Sequence, residues 1–402
     1  MPNRLRVPRP SLNPEQRRIL TALASAVGMR MLGLFLVLPV FTLYGLQFTS
    51  SRFWVGFAFG CYGLAMAAAE MPLGRLSDRI GRRKVLILGM SLFSLGSLMC
   101  AIPPWLPPRI QIGELILGRL VQGSGAITAT AFAAVSDTIE RDRRSTAMAI
   151  LGIPIGASFI LGVIAGPLIS ARFGGVSSLF WLTGILGLAT VGLLARFLPD
   201  AARQAAVPAS LRAALGRRNL LKLNLGGFFM NSFMTAFWFN FPLIASGRYH
   251  LQLSQYHSIL LPMLLISAVT MFAFSSGADR GLGRPLSAAA FLILLASAVL
   301  LFRPAAAGLD PTHLRAFLVA GTLFLIGFTG LEPVLPSQVS KSVPENAYGT
   351  ALGSFHTFQY LGSFSGSAIA GLFAGLPATY MMAYLIAASS LGFLLMVSIP
   401  RT

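Results

Sequence analysis

The fold of this chain is decided by the stretch Gly74-Arg75-Leu76-Ser77-Asp78-Arg79-Ile80-Gly81-Arg82-Arg83-Lys84, which separates two long apolar runs. These eleven positions hold five basic residues and one acid, although only 11% of the whole chain is charged. A charged segment this short, between two segments that are each long enough to cross a bilayer, indicates a tight turn on the cytoplasmic side of a membrane.

The composition is typical of a membrane protein with many crossings. The 402 residues are 55% hydrophobic and their mean hydropathy is +0.74, whereas soluble proteins carry about 25% charged residues. The net charge of +19 does not indicate nucleic-acid binding, because the basic residues lie in short loops and not on one solvated face. Cys61 and Cys100 both lie inside apolar runs, so neither a disulfide framework nor a cysteine metal site is expected.

Apolar runs of about 20 residues, the length that spans the hydrocarbon core, predict twelve helices in two sets of six. The longest internal connection, 199–219, is rich in Arg, Ala and Pro. The sequence therefore predicts a cytoplasmic tail and a six-helix bundle over 1–198, a cytoplasmic linker over 199–219 and a second six-helix bundle over 220–402. The predicted helices are at 20–46, 54–75, 84–103, 112–137, 145–170, 177–198, 220–245, 254–276, 286–302, 315–339, 348–374 and 378–398.

The distribution of Lys and Arg orients these helices, because both residues accumulate in cytoplasmic loops. With the amino terminus inside, 23 of the 31 lie on the cytoplasmic side and 6 on the other, while Arg30 and Arg119 lie within spans. Both termini are therefore predicted to be cytoplasmic.

A weaker copy of the charged turn occurs in the second half of the chain, as Gly277-Ala278-Asp279-Arg280-Gly281-Leu282-Gly283-Arg284. Asp78 and Asp279 are 201 positions apart, half the length of the chain. Two related turns at this spacing predict two six-helix halves built as a parallel repeat.

The residue types of the Gly74–Lys84 turn suggest a latch. Gly74 allows two helix ends to approach closely, and Gly81 allows a backbone turn that larger residues resist. Asp78 can lie against a helix amino terminus, while Arg79 and Arg82 can pair with acids on neighbouring helices. Simple anchoring of the topology is the alternative.

These features resemble the major facilitator superfamily of transporters. The D-R-x-G-R-R turn looks like the family's signature loop, and Leu115-x3-Arg119-x2-Gln122-Gly123-x-Gly125-Ala126 resembles its second motif. Within the superfamily, the YajR-type bacterial group, placed with drug–proton antiporters, is the most similar. The stretches that carry this likeness are Arg30–Gly33, Leu38–Val40, Gly118–Ala126, Ser136-Asp137, Leu331-Glu332 and Ser340-Lys341.

The resemblance implies the family's all-α fold of two pseudo-symmetric bundles and roles for particular residues. It implies that the turn latches the two halves on the cytoplasmic side when the pore faces outward, with Asp137 as its acid partner. It also implies a part in proton transfer for Arg119, with a structural arginine that pins two helices as the alternative. Gly162-x3-Gly166-Pro167 resembles the antiporter motif, whose small residues permit close packing between the halves, although Ser170-Ala171 stands where that motif has two glycines.

Ionisable residues inside the predicted spans are candidates for proton coupling, because a charge at mid-bilayer depth normally faces a partner or a wet cavity. Glu70 lies about 12 Å up its helix from the cytoplasmic turn, and Glu332 lies at a similar depth. An apolar cavity lets a carboxylate take up and release protons near neutral pH. Arg30, Arg119 and His356 complete the predicted central set, and a static ion pair of Glu70 with Arg30 or Arg119 is the alternative.

No metal or organic cofactor is expected. Met230, Met234 and His257 are weak copper candidates, because thioethers suit Cu(I). Methionine also fills irregular cores readily, and fifteen methionines are spread through the chain.

The residues and the resemblance together suggest a secondary transporter of a bacterial inner membrane and not an enzyme. The first hypothesis is export of small amphipathic or hydrophobic compounds in exchange for protons, driven by the proton gradient alone. An importer of the same fold, for a small solute or copper, is the alternative, and a channel or receptor is a third. The sequence has no G-x4-G-K-[ST] loop, so ATP-driven transport by this chain is not expected. The expected partners are the small-molecule substrate and the lipid bilayer, and the chain is expected to act as a monomer.

Twelve crossings with both termini inside can be tested with reporter fusions. Green fluorescent protein joined after Thr402 or within 199–219 is expected to fluoresce, because both positions are predicted to be cytoplasmic. Alkaline phosphatase joined at the same positions is expected to be inactive. Active phosphatase at either position would contradict the predicted topology.

Overall fold

A computed structural model of the protein describes residues 13–139, 144–199, 217–303, 310, 314–344 and 347–400. These residues form fourteen α-helices and no β-strand. The helices are α1 (Pro14–Val37), α2 (Phe41–Gly45), α3 (Arg52–Ile80), α4 (Arg82–Ala101), α5 (Pro108–Ser124), α6 (Thr128–Thr138), α7 (Arg144–Arg172), α8 (Ser177–Phe197), α9 (Arg218–Gly247), α10 (Tyr256–Gly277), α11 (Gly283–Phe302), α12 (Leu314–Lys341), α13 (Tyr348–Phe373) and α14 (Ala378–Val397).

The continuous helices predicted at 20–46 and 112–137 are wrong, because each of these two crossings is broken. The first divides into α1 and α2 around Pro39, which has no backbone N–H to continue the helical ladder. The second divides into α5 and α6 at Gly125, where a Cβ would lie 2.8 Å from the backbone nitrogen of Phe93 on α4. The other ten helices agree with the prediction to within five residues at each end.

The first crossing also begins six residues earlier than predicted, at Pro14. Asn13 Oδ1 accepts the backbone N–H of Gln16 at 2.7 Å, and Gln16 Oε1 accepts that of Asn13 at 3.1 Å. This capping box satisfies two backbone donors at the helix start. The predicted linker at 199–219 lies almost wholly outside the described residues, so that division of the chain stays a prediction.

Hydropathy and length identify most of the crossings. In the described part of the chain, eight helical stretches are long and apolar enough to span a membrane, and one of them, Leu253–Phe302, contains both α10 and α11. The more polar α9 and α13 and the interrupted pair α5 and α6 supply the remaining crossings.

Helices α1–α8 form the first bundle and α9–α14 form the second. We call the membrane side that carries the Gly74–Lys84 turn the charged side, and the other the opposite side. The hydrophobic core of the second bundle continues into the opposite-side half of the first bundle, through residues such as Phe41 and Phe180. The charged-side half of the first bundle has a core of its own. The bundles are therefore joined mainly on the opposite side.

A seam of small residues joins α3 to α13. A Cβ on Gly60 would lie 2.5 Å from the Ser367 hydroxyl, and a Cβ on Gly63 would lie 2.8 Å from the Tyr360 carbonyl oxygen. Both glycines belong to the half of α3 that is nearer the opposite side. Around Gly74, near the charged side, no atom lies within 4 Å of the Cβ position. The seam thus closes one side of the membrane and leaves the other parted.

Aromatic and polar contacts extend this closure. Phe35 of α1 meets Phe159 of α7 with ring centres 5.1 Å apart, and Phe159 meets Phe328 of α12 at 6.0 Å. Thr42 of α2 donates its hydroxyl to the Phe239 carbonyl oxygen of α9 at 3.0 Å. Two further crossings of the first bundle therefore contact the second.

Arg83 and Arg284 show the internal repeat in three dimensions, because they are 201 positions apart, as Asp78 and Asp279 are. Arg83 donates to the Ala195 carbonyl oxygen in the last turn of α8. Arg284 donates to the Met396 carbonyl oxygen in the last turn of α14 at 3.3 Å. The last carbonyls of a helix lack intrahelical partners and favour positive charge. Each arginine therefore caps the sixth crossing of its own bundle.

A matched pair of glycines on two helices of the first bundle tests the packing. A Cβ on Gly166 would lie 2.8 Å from the Leu36 carbonyl carbon, whereas a Cβ on Gly192 would meet no atom within 4 Å. Gly166→Ala is expected to destabilise the protein by about 2 kcal/mol, because it overpacks a backbone contact. Gly192→Ala is expected to be neutral or to stabilise by up to about 1 kcal/mol. Thermal unfolding in detergent measures both, and equal effects would contradict this packing.

Candidate functional site

Glu70 lies at the break between α5 and α6. The first N–H groups of a helix lack intrahelical partners and carry partial positive charge. Ala129, in the first turn of α6, donates its backbone N–H to Glu70 Oε1 at 2.8 Å. Glu70 is only 2% exposed. The helix start therefore gives the carboxylate a polar partner inside the membrane.

Arg30, on α1, is fully buried beside the same helix start. Its Nη1 donates to the Thr128 hydroxyl at 3.1 Å, and its guanidinium lies 5.9 Å from the centre of the Tyr62 ring. Arg30 and Glu70 are within electrostatic range of each other. Among the described residues, however, Glu70 forms no ion pair with Arg30 or Arg119. The static ion pair that the sequence left open is therefore not formed in this structure.

Arg119, on α5, is held by residues of its own bundle. Its Nη1 donates to Gln122 Oε1 at 2.5 Å, and Gln122 Nε2 donates to the Ser97 hydroxyl of α4 at 2.9 Å. The guanidinium lies 5.1 Å from the Phe41 ring and 4.6 Å from the Tyr62 ring, within cation–π range of both. These contacts favour a structural arginine that ties the fourth crossing to its neighbours.

Tyr62 is a member of this cluster that the sequence motifs do not select. Its ring contacts the guanidinium groups of both Arg30 and Arg119. Tyr62 precedes Glu70 by eight residues, about two turns, on α3 and therefore shares a helix face with it. That spacing is the one signal that could have indicated Tyr62, although aromatic residues are common in apolar runs.

Tyr360 is the second tyrosine that the motifs do not select, and it belongs to the other bundle. Its side chain packs against the charged-side core of the first bundle, close to Thr128, Arg30 and Glu70. The predicted residue His356 lies one turn earlier on α13 and stacks on Tyr360 with ring centres 6.2 Å apart. The structure therefore brings Arg30, Glu70 and His356 into one region, with Tyr360 between the bundles.

His356 also makes a hydrogen bond within its own helix. Its Nδ1 lies 2.9 Å from Gln359 Oε1. Because the amide oxygen can only accept, Nδ1 is the donor in this bond. This bond and the stacking on Tyr360 fix the orientation of the imidazole.

Glu332, on α12, is a separate membrane-embedded carboxylate. It is half-buried and lies one turn after Phe328, on the same face of the helix. Since Phe328 contacts Phe159 of the first bundle, this face of α12 points towards the junction of the two bundles. Among the described residues no hydrogen bond or ion pair joins Glu332 to the Glu70 cluster. The structure thus places one predicted carboxylate on each bundle.

Arg82 is the centre of the charged turn. Its Nη1 lies 2.5 Å from Asp78 Oδ1, and its Nε donates to Asp137 Oδ2 at 2.9 Å. Nη1 also donates to the Ser77 hydroxyl at 2.5 Å. Gly81, with φ of +102°, provides the left-handed backbone that joins α3 to α4. These contacts link three crossings of the first bundle at the charged side.

Two residues of the predicted latch, Gly74 and Arg79, are not engaged in this structure. Gly74 mediates no close helix approach, because it lies on the charged side, where the bundles are parted. Arg79 is exposed and forms no ion pair within the described residues, since Asp78 and Asp137 are both bound by Arg82. Gly74 and Arg79 therefore make no latch contact in this conformation, and their roles in the predicted latch of an outward-facing form stay predictions.

The glycines of the antiporter-like motif pack within one bundle. A Cβ on Gly162 would lie 2.8 Å from Phe35 Cβ, and a Cβ on Gly166 would meet the backbone of Leu36. Pro167 follows inside the same helix, α7. The expected packing between the two halves is therefore wrong here, because these residues face α1 of their own bundle. The glycines of α3 form the contact between the bundles instead.

The weak copper candidates do not converge. Met230 is fully buried in α9, whereas His257 lies at the start of α10, with Nδ1 2.6 Å from the Ser254 carbonyl oxygen. The neighbouring Tyr256 contacts Phe241, which lies about 16 Å along α9 from Met230. Met234 is one turn closer, still about 10 Å away. Within the described residues, no group of three or more His, Cys, Asp or Glu could hold a metal ion.

Comparison with known proteins agrees with this architecture. The profile of the Major Facilitator Superfamily matches residues 23–367. The inner membrane transport protein YajR of Escherichia coli (strain K12) is 31% identical over 370 residues, which cover 90% of this chain and 78% of YajR. The multidrug resistance protein MdtL of Shigella dysenteriae serotype 1 is 35% identical over 170 residues, which cover 41% of this chain and 40% of MdtL.

A solved structure has the same fold. The crystal structure of a bacterial homologue of the human lysosomal transporter Spinster, in an inward-facing and occupied conformation, gives a TM-score of 0.78 at 14% identity. The match covers 97% of this chain and 98% of that one. The chain belongs to the major facilitator superfamily, and it is a multi-pass membrane protein and a secondary transporter of that family. The predicted family and fold class are confirmed.

Arg82 provides a test of the charged turn. We expect Arg82→Gln and Asp137→Asn to change thermal stability by less than about 1 kcal/mol, because the pair is partly exposed. We expect both variants to lower the transport rate by about fivefold, because the lost pair shifts the balance between transport states. Transport in proteoliposomes measures this effect. Lys84→Gln, which removes an exposed charge of the same turn, is the control. If it lowers the transport rate as much as the other two variants do, the effect comes from the loss of charge and not from the Arg82 contacts.

Proposed function

We propose that the protein exports small amphipathic or hydrophobic compounds across a bacterial inner membrane in exchange for protons. The observation that carries this proposal is the pair of membrane-embedded carboxylates, Glu70 and Glu332, one on each bundle at the junction between them. A carboxylate at this depth is costly when charged. Binding and release of a proton at such a site gives a transporter a way to use the proton gradient, and it needs no bound cofactor.

The shape of the interface supports alternating access to the two sides of the membrane. Glycine and aromatic contacts join the bundles on the opposite side, while the charged-side half of the first bundle has its own core. With the predicted orientation, this arrangement is closed towards the periplasm and parted towards the cytoplasm. The relative YajR is an inner membrane transport protein, which supports the proposed location.

A groove on the charged side is a suitable place for substrate. Its volume is about 620 Å³, which is in the range of small-molecule sites. Leu20, Met29 and Leu32 give it apolar walls, and Arg17 also lines it. A mainly apolar surface of this size suits a small amphipathic compound. The name of MdtL, a multidrug resistance protein, supports the same class of substrate.

The two carboxylates predict how transport depends on the gradient. In proteoliposomes that contain a fluorescent lipophilic dye, an imposed proton gradient is expected to drive dye movement by the unaltered protein. Glu70→Gln and Glu332→Gln cannot exchange a proton at the altered site, and we expect at least one of them to lower the gradient-driven rate by about tenfold, equivalent to about 1.4 kcal/mol. Glu114→Gln, on α5 outside the proposed site, serves as the matched control.

Several outcomes would contradict the proposal. A rate of dye movement that is the same with and without the proton gradient would contradict proton antiport. Unchanged gradient-driven rates in both the Glu70 and the Glu332 variants would remove these residues from coupling. Gradient-driven uptake of a solute together with protons would favour an importer of the same fold.

A further inference from the structure

Four buried polar atoms of the first bundle lie close to the start of α6 without a hydrogen-bond partner among the described residues. They are Arg30 Nε, Arg30 Nη2, the Tyr62 hydroxyl and Glu70 Oε2. Each buried atom of this kind costs about 1–3 kcal/mol, and most buried polar groups in proteins are satisfied. Donors and an acceptor that remain unpaired in the same cluster indicate an arrangement with a second, better-paired form.

The unpaired atoms of Arg30 and Glu70 are complementary. Nε and Nη2 share one edge of the planar guanidinium, which forms a fork that matches a carboxylate. The other terminal nitrogen, Nη1, is bound to Thr128, and Glu70 Oε1 is bound to the neighbouring Ala129. Both side chains are hydrogen-bonded to adjacent residues at the start of α6. An Arg30–Glu70 ion pair therefore needs rotation of the two side chains and no change in the helix packing of the bundle.

Tyr360 lies beside the residues that would form this pair. Within the described residues, it is the one member of the second bundle among the partly buried side chains packed on the charged-side core of the first. It is close to Thr128, and Glu70, Arg30 and Tyr62 are within electrostatic range of it. Its backbone is also part of the seam, because its carbonyl oxygen faces Gly63. Movement of α13 away from α3 would therefore carry Tyr360 out of the cluster.

We propose that Tyr360 is an interlock between the bundles: it separates Arg30 from Glu70 while the seam is closed, and its withdrawal lets the two residues form a direct ion pair. This inference rests on the proposed alternating access. The Tyr360 contact stabilises the closed seam, and the Arg30–Glu70 pair stabilises the open seam. Because only the charged form of Glu70 can pair with Arg30, the charge of Glu70 then influences which of the two positions the second bundle takes.

Other charged or titratable groups around Glu70 belong to four helices. Arg30 is on α1, and Tyr62 on α3 connects the cluster to Arg119 on α5. Tyr360 and the stacked His356 come from α13. Two of these described residues have unpaired N–H donors, Arg30 and Arg119. The guanidinium of Arg119 is bound by Gln122, so Arg30 is the better partner for the Glu70 carboxylate at the start of α6.

Distance measurements between spin labels test the interlock. Cysteines at the exposed positions Ser50 and Ser254 report the opening of the opposite side, since the two native thiols are fully buried. Glu70→Gln removes the ion pair and is expected to raise the ratio of closed to open seam by about fivefold or more. Tyr360→Ala is expected to lower that ratio by a similar factor, and Tyr360→Phe separates the role of the hydroxyl from that of the ring.

Matched variants keep the test decisive. Glu70→Asp keeps the charge and is expected to shift the ratio less than Glu70→Gln, while the double variant of Tyr360→Ala with Glu70→Gln is expected to lie between the two single variants. Tyr380→Phe, on the lipid-exposed face of α14, and Glu114→Gln are controls that are expected to leave the ratio unchanged.

The results separate this inference from the proposed function. One outcome is that the spin labels show two distances whose ratio changes when substrate dye is added, but not when Tyr360 or Glu70 is replaced. That outcome would overturn the interlock and leave alternating access intact. A single distance in the unaltered protein under every condition, including added dye, would overturn alternating access itself. Parallel shifts in the Glu70 variant and the Glu114 control would also reject the interlock, because the effect would then be one of charge alone.

Discussion

The break between α5 and α6 is the feature on which the interior of the first bundle depends. An uninterrupted helix would leave no backbone N–H free at mid-membrane depth, and Glu70 would then be buried without a polar partner. The cost of such a charge is several kcal/mol. The gap at Gly125 exposes the first N–H groups of α6 to Glu70 and places the Thr128 hydroxyl within reach of Arg30. A carboxylate and a guanidinium can therefore be buried next to each other without a direct ion pair.

The two bundles are similar in construction and different in chemistry. Arg83 and Arg284 cap the last crossing of each half in the same way, 201 positions apart, so the scaffold repeats. The buried arginines, by contrast, occur only in the first half of the described chain, whereas the second contributes aromatic rings, Tyr360 and Glu332. This division suits a transporter in which the first bundle holds the buried arginines in place and the second bundle moves relative to it.

The sequence predicts the scaffold well because crossing length, loop charge and the repeat are properties of long segments. It predicts the interior less well. Pro39 and Gly125 each interrupt a helix, yet single residues of these types also occur inside intact crossings, such as Pro262 in α10. The partner of Glu70 is a backbone N–H that exists only because of such a break, so side-chain patterns cannot reveal it. For Gly162 and Gly166, small-residue spacing indicates a close contact but does not identify the helix on the other side.

The glycine seam between α3 and α13 has a mechanical consequence. Its surfaces are largely main chain and small side chains, and such surfaces have few rotamers to lose when they meet. Separation therefore requires little rearrangement of either helix, and the two can return to the same register without sorting through alternative side-chain packings. Such a barrier seals through the complementary shape of two backbones, and any larger side chain introduced at the seam would hold the two helices apart.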